Sequence, residues 1–368
     1  MTDIYVIGLA LHPPAERHDA YRLEELTYHT ARAALADAGV TRRQLDSVTL
    51  GACDELDGRP ISSMLMAMPA GAFLTDETRV TDSGASALCL ATARMLSGDF
   101  HLCLVGSWCK SSKTDIEAVM NARAEPFYTR PLGMGATLAD ALFAQAVAAE
   151  FGIDEYEVTK RVIDAQTRAQ ANDRGMQRPP TSADAIAASD YEATPLRAAH
   201  RAPYTDGAVC MVLASAEWLR GHPGHEPLAR VAGVGWATDS YRLDRDRLRG
   251  MNSARTSWAT ALRRAGVKNA ADLDIIEVEA QTGYHEAAFA RAFELEDAKI
   301  SPSGGAFAQN PLFCSGLINA AEAVLQLAGR AGPVQQPNVT RAAAHSCHGY
   351  AQQGNVVMVF EGAGSANA

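Results

Sequence analysis

The sequence repeats itself, and that limits what it can fold into. Residues 34–50 read ALADAGVTRRQLDSVTL, and residues 261–278 read ALRRAGVKNAADLDIIEV. Each stretch is a helix ending in Ala-Gly-Val, a short polar link, then Leu-Asp and an apolar run. Gly39 and Gly266 suit the left-handed residue that closes a helix, and the apolar runs read as short buried strands. A second matched pair follows in the same order, residues 83–99 (SGASALCLATARMLSGD) and residues 315–329 (SGLINAAEAVLQLAG). Gly39 and Gly266 lie 227 positions apart, and Gly84 and Gly316 lie 232 apart. Both later segments are Ala-rich helices with apolar residues spaced by three and four. Each opens on a Ser-Gly that lets the backbone turn tightly. An apolar strand follows each, at residues 102–106 and 355–362. Four elements duplicated in one order predict two βαβ-type halves of an α/β protein.

Between the halves, residues 107–202 form a charge-rich stretch that reads as an insertion covering the site where the halves meet. Residues 138–175 carry two long amphipathic helices joined at Phe151-Gly152, and residues 178–197 read as a polar loop. The expected division is a first half of residues 1–106 with 203–220, the insertion 107–202, and a second half 221–368. The 368 residues are 47% apolar and 21% charged, as in ordinary globular chains. A net charge of −10 argues against a broad nucleic-acid surface, though not against a local basic pocket for a phosphorylated ligand. No apolar run approaches the ~20 residues of a membrane span. The N-terminus lacks a basic segment, carries Asp3, and reads as a strand rather than a signal peptide. Residues 362–368 read as a loose tail. The seven cysteines are irregularly spaced with no C-x-x-C pair, so metal binding is not expected. They read as buried free thiols of a reducing cytoplasm.

The stretches SGASALCLATARMLSGDFHLCLVGS, TDGAVCMVLAS, LDIIEVEAQTGYHEAAFA, SPSGGAFAQNPLFCSG and SCHGYAQQGNVVMVF together make the chain resemble the thiolase superfamily. The resemblance covers nearly the whole chain. It is nearest to sterol-carrier-protein-linked thiolases and to thiolase-like aldolases that lack the nucleophile. It implies an α/β fold, a duplicated α-β-α-β-α sandwich with the helical insertion as a lid. It also implies an acyl thioester of CoA or a carrier protein as substrate, with no separate cofactor, nucleic acid or membrane. The implied assembly is a homodimer, or a heteromer with a related thiolase-fold chain or an OB-fold acyl-CoA-associated protein. Residues 79–86 and 103–108 are expected at its interface.

The resemblance also assigns site positions. The family's nucleophilic cysteine, at a helix N-terminus that favours a thiolate, is replaced here by Thr81. Threonine without a dedicated base is a weak nucleophile, so Thr81 reads as a positioner of substrate or water or as purely structural, with a true acyl acceptor the least favoured role. Glu279 opens the segment after the second-half strand, where a partly desolvated carboxylate could act as a general base or pair with a cation. His285 follows on the next helical turn. Asn310 takes the histidine position of the family's Gly-His-Pro motif, where an amide could stabilise an enolate oxygen or simply set a turn before Pro311. Cys347 matches the family's Cys-x-Gly acid/base cysteine, with His348 beside it. Gly349-Tyr350 resembles the Gly-Gly-Tyr turn of the aldolases, which makes Tyr350 a proton donor or else an apolar plug with its hydroxyl on the backbone. Arg168, Arg174 and Arg178 form a candidate wall for the CoA nucleotide.

Three functions fit this set. One is an aldolase-like enzyme working on an acyl thioester without an acyl-enzyme. Another is a Claisen-type acyltransferase, and the third a catalytically silent partner subunit.

Overall fold

Nine strands form one continuous mixed sheet in the computed structural model, which describes residues 3–58 and 63–364. The first half supplies β1 (Ile4–Leu11), β2 (Ser47–Ala52), β3 (Asp76–Thr81), β4 (Leu102–Lys110) and β5 (Asp206–Ser215). The second supplies β6 (Ala229–Thr238), β7 (Ile275–Glu277), β8 (Arg341–His348) and β9 (Gly354–Gly362). Their order, β3-β2-β4-β5-β1-β6-β9-β8-β7, mirrors itself about the β1–β6 junction. That junction is short, with Tyr5 opposite Arg230 and Val6 opposite Ala229. The counterpart of β3 shrinks to one bridge between Ile276 and Ile300. The repeat in the sequence is therefore a repeat of architecture.

The main helices are α1 (Leu23–Asp37), α2 (Gly84–Leu96), α3 (Ile116–Arg123), α4 (Ala136–Phe151), α5 (Glu155–Ala171), α6 (Asn252–Ala265), α7 (Gly283–Ala292) and α8 (Ser315–Leu327). The central pair, α2 and α8, pack on each other and on the inner faces of the two half-sheets; α1 and α6 cover the outer faces. This makes five layers. Adjacent residues accordingly serve different cores: Val6, Val105 and Met358 point to the central layer, Ile7 and Leu104 pack under α1, and Val357 under α6 and α7. Strands covered on both faces need apolar side chains at every position, which is why β4 and β5 read as unbroken apolar runs.

The Ser-Gly pairs have a packing cause. A Cβ on Gly84 would stand 2.7 Å from the Ser107 side chain on β4, and one on Gly316 would collide with Ser346 on β8. The same close helix–strand approach thus recurs in each half. Ser83 caps α2 by accepting from the Ser86 amide at 3.1 Å.

Helices α4 and α5 break at Gly152, as expected, through its left-handed conformation. Four details differ from expectation. Strand β4 runs on to Lys110, so the insertion begins beyond it. The segment 178–197 also holds a short helix (Ala183–Ala188) and a two-strand hairpin (Tyr191–Ala193 with Leu196–Arg197). The expected tail is part strand, since β9 ends at Gly362; residues 365–368 lie outside the described residues. Residues 103–108, expected at a subunit face, sit in β4 between β2 and β5, fully buried within the chain. Among the described residues no single helix is long and apolar enough to cross a membrane.

Candidate active site

A cavity of about 50 Å³ opens where the insertion meets the second half. Glu279, carried beyond β7, and Cys347, at the end of β8, both line it, as do Asp140 of α4 and His285 of α7. A larger groove of about 510 Å³ runs beside Trp236 and Arg264 at the β1–β6 junction, but its walls hold no histidine, cysteine or glutamate. The reactive groups gather in the smaller space.

The Glu279 side chain is 2% exposed. The Ser346 hydroxyl donates to its Oε2 at 2.7 Å, and the Cys347 amide donates to the same oxygen at 3.3 Å. Gln281 Nε2 donates to Oε1 at 3.3 Å. Burial raises the carboxyl pKa to about 7 against the pull of these three donors. No cation pairs with Glu279 among the described residues, so its charge, when present, is held by neutral donors. A carboxyl with this pKa can both accept and release a proton near neutrality. Ser346 also lies 3.4 Å from Ser83 at the start of α2, linking the two halves behind the acid.

The Cys347 thiol donates to the Glu279 carbonyl at 3.5 Å. Burial, then the neighbouring Glu279 charge, pushes its pKa well above the ordinary value, so it is a protonated donor rather than a thiolate. The same holds throughout the chain. All seven cysteines are buried and free, and burial raises the pKa of each one.

Three expected residues lie elsewhere. Asn310 is fully buried behind the cavity, with Nδ2 donating to Gln281 Oε1 at 2.8 Å and to the Ala202 carbonyl at 3.2 Å. Its Oδ1 accepts from Gln281 and Ser315. Both donors are spent, so Asn310 braces Gln281 and has none left for a substrate oxygen. The Tyr350 hydroxyl donates to the Met120 carbonyl and the ring packs against α3 and its neighbours, which is the plug reading. Thr81 is exposed at the end of the edge strand and outside the cavity wall.

The arginine wall is likewise committed. Arg168 pairs with Glu286 at 3.2 Å, Arg174 with Glu322 at 2.7 Å and Arg178 with Glu16 at 2.6 Å.

The structure adds residues that sequence reading missed or left unassigned. His285 Nδ1 lies 2.9 Å from the Thr282 hydroxyl, and its Nε2 faces Asp140 across 3.8 Å. Asp140 is itself held by Arg201 at 2.8 Å. Burial lowers the His285 pKa, keeping the ring neutral near pH 7. Asp140 sits in the second turn of the apolar helix α4 and carries no motif that could have flagged it. Gln352 follows Cys347-His348-Gly349-Tyr350 within a turn and reads as a polar loop residue.

A mirrored pair of half-sheets around two central helices, with an acid, a thiol and a histidine converging under an inserted lid, defines a thiolase-type architecture. Known proteins bear this out at the level of fold. No family model matches the chain. An acetyl-CoA acetyltransferase of Methanothermobacter thermautotrophicus is 25% identical over 378 aligned positions, covering 95% of this chain and 97% of that one. Human mitochondrial 3-ketoacyl-CoA thiolase superposes with a TM-score of 0.80 at 18% identity, covering 98% of this chain and 99% of that one. The same enzyme in complex with CoA gives 0.81, also at 18% identity, with 98% of each chain covered. The chain has the thiolase fold from end to end.

Proposed function

We propose that this protein is a thiolase-superfamily enzyme that makes or breaks a carbon–carbon bond in an acyl thioester of CoA or a carrier protein, without a cysteine nucleophile. The fold and the named activities of its relatives support the thioester substrate. The observation that carries the mechanism is Glu279, a buried carboxyl with a pKa of about 7 on the cavity wall beside a protonated thiol.

In the cleavage direction, ionised Glu279 takes the proton of a β-hydroxyl group. The bond between the α- and β-carbons breaks, leaving a carbonyl product and placing its electron pair in a thioester enolate. The Cys347 thiol then protonates the α-carbon. The proton held by Glu279 returns to the Cys347 sulfur, so the cycle closes without net proton change.

A Claisen route is the second reading, favoured by the relatives' names. It needs an acyl acceptor, and the exposed position of Thr81 outside the cavity speaks against that residue. Mass spectrometry after incubation with acetyl-CoA and longer acyl-CoAs decides between them. An increment on the peptide containing Thr81 would overturn the proposal. Release of a carbonyl product from a β-hydroxyacyl-CoA, with no covalent increment, supports it. Absence of turnover by the chain alone, restored by an added thiolase-fold or OB-fold protein, would make it one subunit of a heteromer.

We also propose self-association through β3. Among the described residues this strand pairs only with β2 and leaves its other edge open. Met64, Met68, Phe73 and Leu74 are exposed in the segment leading to it. A sedimentation or light-scattering mass of one chain at micromolar concentration would refute this.

A further inference from the structure

The cavity wall holds a buried hydrogen-bond donor that nothing among the described residues satisfies. Gln352 is 2% exposed and lines the cavity, yet its Nε2 has no partner. Natural proteins rarely leave a buried amide donor unpaired, and an exception calls for an explanation.

The orientation of this amide is fixed by its neighbours. His345 Nε2 and Asn355 Oδ1 lie 2.9 Å apart. The Gln352 backbone carbonyl can only accept, which sets Asn355 Nδ2 toward it and Oδ1 toward His345, so that ring nitrogen carries the hydrogen. Asn355 Nδ2 then faces Gln352 Oε1 at 2.9 Å, and also reaches the Gln352 carbonyl and the Ser253 hydroxyl. Exchanging the oxygen and nitrogen of Gln352 would set two NH₂ groups against each other. The Oε1 end is therefore bound to Asn355, and the NH₂ end is left for the cavity. Burial lowers the His345 pKa to about 4, so the anchor stays neutral and constant across the working pH range.

The backbone is held with equal care. Ala351 and Gln352 both have positive φ, 48° and 53°, a conformation that costs non-glycine residues free energy and persists at functional sites. Arg247 pins this turn by donating to the Tyr350 and Ala351 carbonyls at 2.7 and 3.0 Å.

We propose that Gln352 is the donor that binds the carbonyl oxygen of the acyl thioester and stabilises the enolate formed from it, with Asn355 and His345 as its positioning residues. A neutral, fixed donor in a buried wall favours negative charge that develops on oxygen. His285 supplies a second donor of the same kind. The Thr282 hydroxyl accepts from the His285 backbone amide at 3.3 Å and lies 2.9 Å from Nδ1, while the Asp140 carboxylate 3.8 Å from Nε2 favours the ring hydrogen on Nε2, on the cavity side. Gln352 thus takes the role that Asn310, its donors already spent, does not fill.

The inference rests on the acyl-thioester reading, and one experiment separates the two. Acetoacetyl-CoA and acetoacetyl-pantetheine are titrated with pH on the protein, and the bound enolate is followed by its ultraviolet absorbance. Wild-type protein is expected to make the bound ligand more acidic. Gln352→Leu and Gln352→Glu are expected to reverse this by roughly 10²-fold in the ionisation constant, the usual effect of losing one such donor. Asn355→Ala, which frees the amide to turn, gives a smaller loss of the same kind. Circular dichroism spectra should match wild type throughout. Wild-type binding with the same ionisation in both Gln352 variants would overturn the role of Gln352 alone. Failure of wild-type protein to bind either thioester would overturn the substrate reading and this inference with it.

Discussion

Replacing Glu279 with glutamine separates stability from activity in a way that only a buried, protonatable base produces. Raising the carboxyl pKa from its ordinary 4.5 to about 7, at about 1.4 kcal/mol per unit, makes the ionised form cost the folded state about 3 kcal/mol. The sign follows from the direction of the shift. A group whose pKa is raised on folding contributes stability that is fully present below pH 4.5 and is lost as pH climbs through about 7. Glutamine keeps the shape, cannot ionise, and escapes this loss. Urea unfolding at pH 5 should place Glu279→Gln within about 1 kcal/mol of wild type, the worth of one altered hydrogen bond. By pH 9 the variant should be the more stable protein by about 3 kcal/mol. Glu277, also raised by burial to about 8, is present in both proteins and cancels in the difference. Activity should move the other way: wild-type kcat/KM rises with pH through about 7, and the variant loses that limb along with roughly 10²–10⁴-fold in rate. A stability difference that stays flat between pH 5 and 9 would refute the buried-acid argument. Full activity in the variant would refute the base.

Tyr350→Phe removes only a hydroxyl bound to the Met120 carbonyl; it should cost about 1 kcal/mol in urea unfolding and leave kcat unchanged. Asn310→Ala breaks the reciprocal amide pair with Gln281 and should destabilise the fold by about 2 kcal/mol. An unchanged melting temperature with a large fall in kcat would restore the oxyanion role. Gly316→Ala drives a methyl group into Ser346 beside Glu279 and should cost about 1–3 kcal/mol by thermal melting, as overpacked cores do.

The fold was legible because duplication writes the same constraint twice. Gly84 and Gly316 must both be small, since each helix lies against a serine on its neighbouring strand, and a constraint met in both halves stands out in one sequence. The break at Gly152 was equally plain, because a left-handed helix end has few solutions other than glycine. The surroundings of β4 were not legible. The run LCLVGSWC is apolar whether it faces a partner chain or lies between two layers of its own, and only the sheet order places β4 inside.

The site divides along the same line. The family resemblance singles out Glu279, Asn310 and Cys347, and the structure sets Glu279 and Cys347 in one cavity wall. Residue type alone does not reveal that the Asn310 donors are taken by Gln281 and the Ala202 carbonyl. Gln281, with no motif of its own, holds Asn310 on one side and Glu279 on the other. Asn310, at the position of the Gly-His-Pro histidine, therefore belongs to a structural amide pair. The proposed cavity donors, Gln352 and His285, sit in a turn and a helix and carry no motif that marks them. The Gln352 donor shows itself only by what remains unpaired after the internal hydrogen bonds are assigned. That quantity exists only once the chain has folded.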